Sequence, residues 1–187
     1  MLEWLNTIIG YDKQLLIFLH SQGYAFWDGF WIFLTNPLPW IPLFFLLFFL
    51  GFNSFGLKKA LLVAVFTAFG AATSLIIVNL IKNYFQRLRP INDLSINNNI
   101  RLLVESNDFS FVSGHSAVSF TIAFISFWIL KKHYKYAYAI FLFPFLFAYS
   151  RIYLAAHFPI DILAGMILGY LIAVLFYKIM QSFVFKK

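Results

Sequence analysis

The sequence predicts an all-α protein: a polytopic membrane helical bundle with five transmembrane helices and a possible sixth span or interfacial helix at its N-terminus. Three observations lead there. Of 187 residues, 62% are apolar and 22% aromatic, while 11% are charged, a composition foreign to ordinary soluble domains. The apolar residues gather into uncharged runs of roughly 20, the length that crosses about 30 Å of hydrocarbon. Lysine-rich or polar turns separate the runs. No polar stretch reaches domain size, so residues 1–187 read as one membrane domain. The absence of cysteine excludes disulfides and thiolate chemistry. The start, Met1-Leu-Glu-Trp-Leu-Asn, has no basic n-region followed by an apolar core and small residues, and no cleavable signal peptide is expected.

In chain order, residues 1–37 are ambiguous. Leu15 to Leu19 is apolar, Ser21-Gln22-Gly23 interrupts, and Tyr24 to Leu34 is aromatic-rich but carries Asp28. This reads as a sixth span or a pair of interfacial helices, with the balance towards the interface that Trp and Tyr favour. The first span covers Leu38 to Phe52, and Asn53-Ser-Phe-Gly is expected to turn the chain before Lys58-Lys59. The second runs from Ala60 to Ile81 and ends at Lys82. A polar loop follows over 83–112, long enough to suggest function. Ser113 opens the third span, which reaches Leu130, and Lys131 to Lys135 forms its hairpin. The fourth runs from Tyr136 to about His157 with a kink expected at Pro144, and the fifth from Pro159 to Met180.

Alternating these crossings brings the polar loop and the stretch Ser150 to Asp161 to one membrane face. On the other lie Lys58, Lys59, Lys131, Lys132, Lys135, Lys178, Lys186 and Lys187, without a carboxylate. The positive-inside rule makes the lysine face cytoplasmic and directs the polar face outward, in a multi-pass protein of the cytoplasmic membrane. The net charge of +7 then belongs to topology, and no nucleic-acid partner is expected.

Three clusters carry chemistry on the polar face. In Lys82-Asn-Tyr-Phe-Gln-Arg-Leu-Arg89-Pro90, cations flank a helix end, either as snorkelling anchors or as anion ligands. In Ser113-Gly114-His115-Ser116, Ser113 is a candidate N-cap, the amides after it suit an anion, and glycine permits close approach. His115 there is a structural histidine or a proton donor. In Ser150 to Asp161, Arg151 is a fork-shaped anion binder. Pro159 separates two helices, so His157 is expected to close the first and Asp161 to enter the first turn of the next. Asp161 then orients His157 as nucleophile or base, or only complements the helix dipole. Taken together, the three clusters form a metal-free phosphoryl-transfer site: cations and amides neutralise the equatorial oxygens, one histidine attacks and a second protonates the leaving oxygen.

These motifs, Lys82 with Arg89-Pro90, then Ser113-Gly114-His115, then Ser150-Arg151 with His157 and Asp161, resemble the signature of the type 2 phosphatidic acid phosphatase family. That resemblance spans residues 82–161. It implies a membrane lipid phosphate phosphatase without cofactor or metal, acting on a lipid phosphate substrate in the bilayer. Bacterial members of this kind act on phosphatidic acid, phosphatidylglycerol phosphate, undecaprenyl diphosphate or lipid A. It implies Lys82, Arg89 and Arg151 as phosphate ligands beside Ser113 and the Gly114 amide, with His115 as the acid, His157 as the nucleophile and Asp161 as its orienting partner. Val112 departs from the family, which usually has proline there. Arg87 and Ser150 are further polar candidates. The alternative class is a non-catalytic lipid-headgroup binder or transporter, which would need the cations but not the two histidines and their carboxylate.

Overall fold

The computed structural model describes residues 2–106 and 108–185, and among these there are seven α-helices and no strand. They are α1 (Leu2–Ser21), α2 (Asp28–Thr35), α3 (Ile41–Phe55), α4 (Leu57–Phe85), α5 (Gly114–Leu130), α6 (Leu142–Tyr153) and α7 (Pro159–Phe183). Segments Leu38–Phe55, Leu57–Asn92 and Pro159–Phe183 are long and apolar enough to cross a membrane, and Gly114–Leu130 and Ala137–Tyr153 are shorter apolar helices. The all-α membrane bundle expected from composition is therefore the architecture found. Large apolar side chains such as Phe45, Phe69, Leu80, Phe145 and Ile167 are exposed around it, which suits hydrocarbon and not water.

Several boundaries differ from those read in sequence. The helix α3 continues through Asn53 to Phe55, and the break falls on Gly56 alone, whose φ of 79° lies where glycine is unstrained. The helix α4 runs past Lys82 to Phe85. Pro144 sits in the first turn of α6, directly after the 3-10 turn Ala137–Phe141, where its missing N–H costs no intrahelical bond. His157 does not close that helix. Ala155 adopts φ 48°, and its N–H and that of Ala156 return to the carbonyls of Ile152 and Arg151. This Schellman arrangement stops α6 at Tyr153, with alanine in the left-handed place usually held by glycine.

The helix α5 is the hub, packed most extensively on α7 and then on α4 and α6. Two glycines make the first contact close. A Cβ on Gly165 would lie 2.6 Å from the Ser113 carbonyl oxygen, and one on Gly169 would lie 2.5 Å from that of Ala117. Their four-residue spacing puts both on one face of α7, the small-residue pattern that lets membrane helices approach.

The N-terminal stretch forms two helices. The eight residues of α2 span only about 12 Å. In α1 the buried stripe is Asp12, Leu16 and His20, while Trp4, Ile8, Tyr11, Leu15 and Phe18 face outward. Asp12 and His20 thus point into the protein, whereas Glu3, Asn6, Thr7 and Gln14 are exposed. His20 donates from Nδ1 to the Tyr153 carbonyl at 2.7 Å and accepts at Nε2 from the Arg101 amide at 2.9 Å, which requires the neutral ring. At the far end of the bundle Phe55 meets His133 and Phe185, gathering the exposed Lys58, Lys59, Lys131, Lys132, Lys135 and Lys178. Lys186 and Lys187, assigned to the same face, lie outside the described residues.

Candidate active site

The site forms where four chain segments end together. Lys82 occupies the last turn of α4, which Gln86 terminates in a left-handed conformation. Arg89 follows in the loop. Ser113 caps α5, its Oγ accepting from the Ser116 amide at 3.3 Å, so the expected N-cap is present. The first-turn amides of Gly114 and His115 have no intrahelical acceptor by helix geometry. A Cβ on Gly114 would meet Val78 at 3.6 Å, an ordinary packing distance. Val112 is buried, and the peptide bond before it is cis. The Ser113 amide donates to the Asp161 carbonyl at 3.1 Å, which ties the start of α5 to the start of α7.

His157 lies in the turn between α6 and α7 and is buried. Its two nitrogens face different groups. Nε2 is 3.4 Å from Arg89 Nη1, whereas Nδ1 is 3.6 Å from Asp161 Oδ2 and 3.4 Å from Ser110 Oγ. At 3.6 Å the carboxylate contact is an ion-pair distance, longer than a hydrogen bond. The Ser110 hydroxyl, which donates to the same Oδ2, stands beside both groups. That carboxylate is anchored further by the Phe158 amide at 2.9 Å and, on Oδ1, by Arg87 Nη1 at 2.6 Å. Asp161 is in the first turn of α7, as Pro159 foretold. Burial drives the His157 imidazole down to about 4; the Asp161 carboxylate opposes that shift, and the guanidiniums of Arg89 and Arg151 add to it. The ring is therefore neutral at physiological pH, with a lone pair available.

The cations converge on the Nε2 side. Arg89 is fixed by the Ala156 carbonyl at 2.7 Å and by Asp108. Arg151, in the last turn of α6, donates from Nη1 to Thr35 Oγ1 at 2.6 Å, and its buried Nε has no partner among the described residues. A buried guanidinium N–H left unpaired is costly, and a ligand anion would satisfy it. His115 stands within electrostatic range of Arg151, His157 and Arg89, its ring centroid 4.7 Å from that of Phe147. Lys82, Arg89, Ser113, Gly114, His115, Arg151, His157 and Asp161 are thus brought to one end of the bundle. Of the further candidates, Arg87 points away from the cations to Asp161 and Asp12. Ser150 only returns its hydroxyl to the Phe147 carbonyl.

Four polar residues were not singled out from the sequence. Asp108 bridges Lys82 and Arg89, Ser110 sits between His157 and Asp161, Thr35 holds Arg151 and Asp12 holds Arg87. Asp108 and Ser110 at least lie in the loop next to a motif. Thr35 and Asp12 are 116 and 75 positions from their partners and carry no local signal.

Membrane helices that present a buried histidine, an adjacent carboxylate and converging cations at one end define a membrane-embedded phosphatase. The chain belongs to the PAP2 superfamily, whose family model matches residues 60–185. It is 31% identical over 183 residues to the lipid A 4'-phosphatase of Bacteroides thetaiotaomicron, covering 96% of this chain and 80% of that protein. Two solved structures share the architecture. The transmembrane PAP2 type phosphatidylglycerolphosphate phosphatase from Bacillus subtilis superposes with a TM-score of 0.72 at 22% identity, over 95% of this chain and 88% of that one. Aquifex aeolicus LpxE gives 0.69 at 26% identity, over 88% and 93%.

Proposed function

We propose that this phosphatase removes the phosphate monoester of a lipid headgroup of the lipid A kind, at the extracytoplasmic face of the cytoplasmic membrane, through a phosphohistidine on His157. The observation that carries the reading is the buried Nε of Arg151, which has no partner among the described residues and whose guanidinium lies within electrostatic range of Arg89 and His157. It fits a phosphoryl group whose equatorial oxygens lie on Arg151, Arg89, Lys82 and the first amides of α5. The 31% identity to a lipid A 4'-phosphatase over nearly the whole chain supports the substrate class. The exposed lysines at the opposite end support the facing.

In the first step the lone pair of His157 Nε2 attacks phosphorus, the bond from phosphorus to the lipid oxygen breaks, and His115 gives that oxygen a proton. Asp161 faces Nδ1 across 3.6 Å with Ser110 beside both, so the imidazole gains positive charge against a carboxylate. In the second step a water attacks phosphorus, His115 takes its proton, and the bond from phosphorus to Nε2 breaks to release inorganic phosphate. His157→Gln removes the attacking nitrogen and should lower kcat by several orders of magnitude.

The test is phosphate release from a detergent-solubilised panel of lipid A, phosphatidic acid, phosphatidylglycerol phosphate and undecaprenyl diphosphate. The expected result is the highest kcat/KM with lipid A. A preference for another member overturns the substrate, and no release from any of them overturns the activity.

A further inference from the structure

We propose that Asp12, on the N-terminal helix α1 and outside the matched residues 60–185, is a positioning residue of the phosphoryl-transfer centre that acts through Arg87 on Asp161. The inference rests on the reading of His157 as nucleophile. Arg87 is gripped from two sides: Nη2 lies 2.7 Å from Asp12 Oδ2 and Nη1 lies 2.6 Å from Asp161 Oδ1. Both carboxylate side chains are wholly buried, whereas that of Arg87 keeps 22% exposure. The guanidinium also lies 3.8 Å from the centre of the Phe158 ring, the residue next to His157. Asp12 Oδ1 accepts from the Ile160 amide at 2.9 Å, so one carboxylate fixes both Arg87 and the first turn of α7.

Two consequences follow for His157. With Oδ1 of Asp161 held by Arg87, Oδ2 is the oxygen left to face Nδ1. Attack by a neutral imidazole creates positive charge on the ring. An Arg87 that paired with Asp161 alone would cancel the carboxylate that balances this charge. Asp12 shares Arg87 and leaves the trio with one net negative charge beside the ring. Its effect therefore belongs to the transition state and not to substrate binding. The placement also gives a reason for a carboxylate to be buried on α1 at Asp12.

The experiment is steady-state kinetics of Asp12→Asn on phosphate release, normalised to folded enzyme. Asparagine can keep an acceptor for Ile160 while removing the charge. The expected result is a kcat lowered about 10- to 100-fold, the scale of outer partners that orient active-site ligands, with KM changed less than about threefold. Arg87→Met should be no worse when combined with Asp12→Asn than alone, because the two act as one unit. Lys13→Met breaks the tie of α1 to Asp93 and Ser95 without touching Arg87 and should leave kcat unchanged. A wild-type kcat in Asp12→Asn, or an equal loss in Lys13→Met, overturns the inference. Should Asp12→Asn not fold, Asp12→Glu moves the charge by one methylene, and a smaller loss of kcat at constant KM is expected, wild-type kcat again overturning it. His157→Gln in the same assay separates the two readings. If that variant keeps its activity the nucleophile assignment fails, whereas an inactive His157→Gln beside an unaffected Asp12→Asn sinks only the role of Asp12.

Discussion

Asp108 lays its carboxylate across Arg89, with Oδ1 2.6 Å from Nη2 and 2.8 Å from Nε, and gives its second oxygen to Lys82. Burial works against its charge, but Lys82, Ser106 and Arg89 outweigh it and hold the carboxyl well below the usual carboxylate range. Asp108 is therefore an anion at every working pH. It sits on two of the cations that a substrate phosphate would need.

Removing that charge should help a competing oxyanion. Asp108→Asn is expected to lower the inhibition constant of orthovanadate about three- to tenfold, a modest gain because the Asp108 side chain is half exposed and its ion pairs are screened. A steady-state inhibition series with a phosphate ester checks it. Weaker inhibition in the variant would mean that Asp108 arranges the cations for the ligand instead of competing with it.

The depressed His157 gives a pH prediction with a definite sign. An ordinary histidine charges as pH falls through 6.5, but this one stays neutral until about 4, so the attack proposed for it should persist through mildly acidic pH. Because the folded-state value lies below the unfolded one, its stabilising effect is complete above about 6.5 and is lost as pH falls towards 4. The sequence has four histidines, so nitrogen-detected titration of labelled protein, with His157→Gln for assignment, can follow the ring directly. A midpoint at or above 6.5 would refute the burial argument.

Activity should survive a chelator. Asp12 and Asp161 hold Arg87, Asp28 holds Arg101, Asp93 holds Lys13, and Asp108 holds Lys82 and Arg89. Among the described residues no group of three or more side chains is placed to hold a metal ion. Hydrated magnesium would need carboxylates that are not already committed to cations. Phosphate release in excess EDTA should equal the untreated rate, and loss restored by one divalent metal would contradict this.

The contact between α5 and α7 offers a stability test. Alanine at Gly169 would press its methyl to 2.5 Å from a backbone oxygen, and backbone cannot give way as a side-chain tip can. Gly169→Ala should cost about 1–3 kcal/mol, read as a lower thermal midpoint in detergent. Gly165→Ala should in addition lower activity, because the atom it would strike is the carbonyl of Ser113, the cap of α5. Unchanged midpoints in both would mean that the helices separate without cost.

What could be read before the structure divides along physical lines. Hydropathy exposed α3, α4, α5 and α7, because uncharged runs of membrane length have few other uses. Of the cluster residues at helix ends, Ser113 and Asp161 were legible because a cap and a proline fix those helix starts locally. The end of α6 was not, since its left-handed stop falls on Ala155 and alanine gives no turn signal. Nor were Asp12 and Thr35 legible: their partners Arg87 and Arg151 are brought to them only by the packing of α1 and α2. The glycine pair of α7 carried a signal in its spacing, but only its fit against Ser113 and Ala117 shows which helix it meets.

The facing of the site is open to direct chemical test. The lysines at the end of the bundle marked by Phe55, His133 and Phe185 are exposed and free of neighbouring carboxylates among the described residues. Carrying them across the membrane would oppose the insertion bias. The opposite end, with the proposed site, would then draw its lipid from the outer leaflet. Because the chain has no cysteine, single cysteines report without background. Asn98, in the loop between α4 and α5, and His133, in the turn after α5, are both exposed. Asn98→Cys should react with a membrane-impermeant maleimide added to intact spheroplasts, and His133→Cys only after permeabilisation. The reverse pattern would put the phosphatase site on the cytoplasmic side and restrict its substrates to lipids of the inner leaflet.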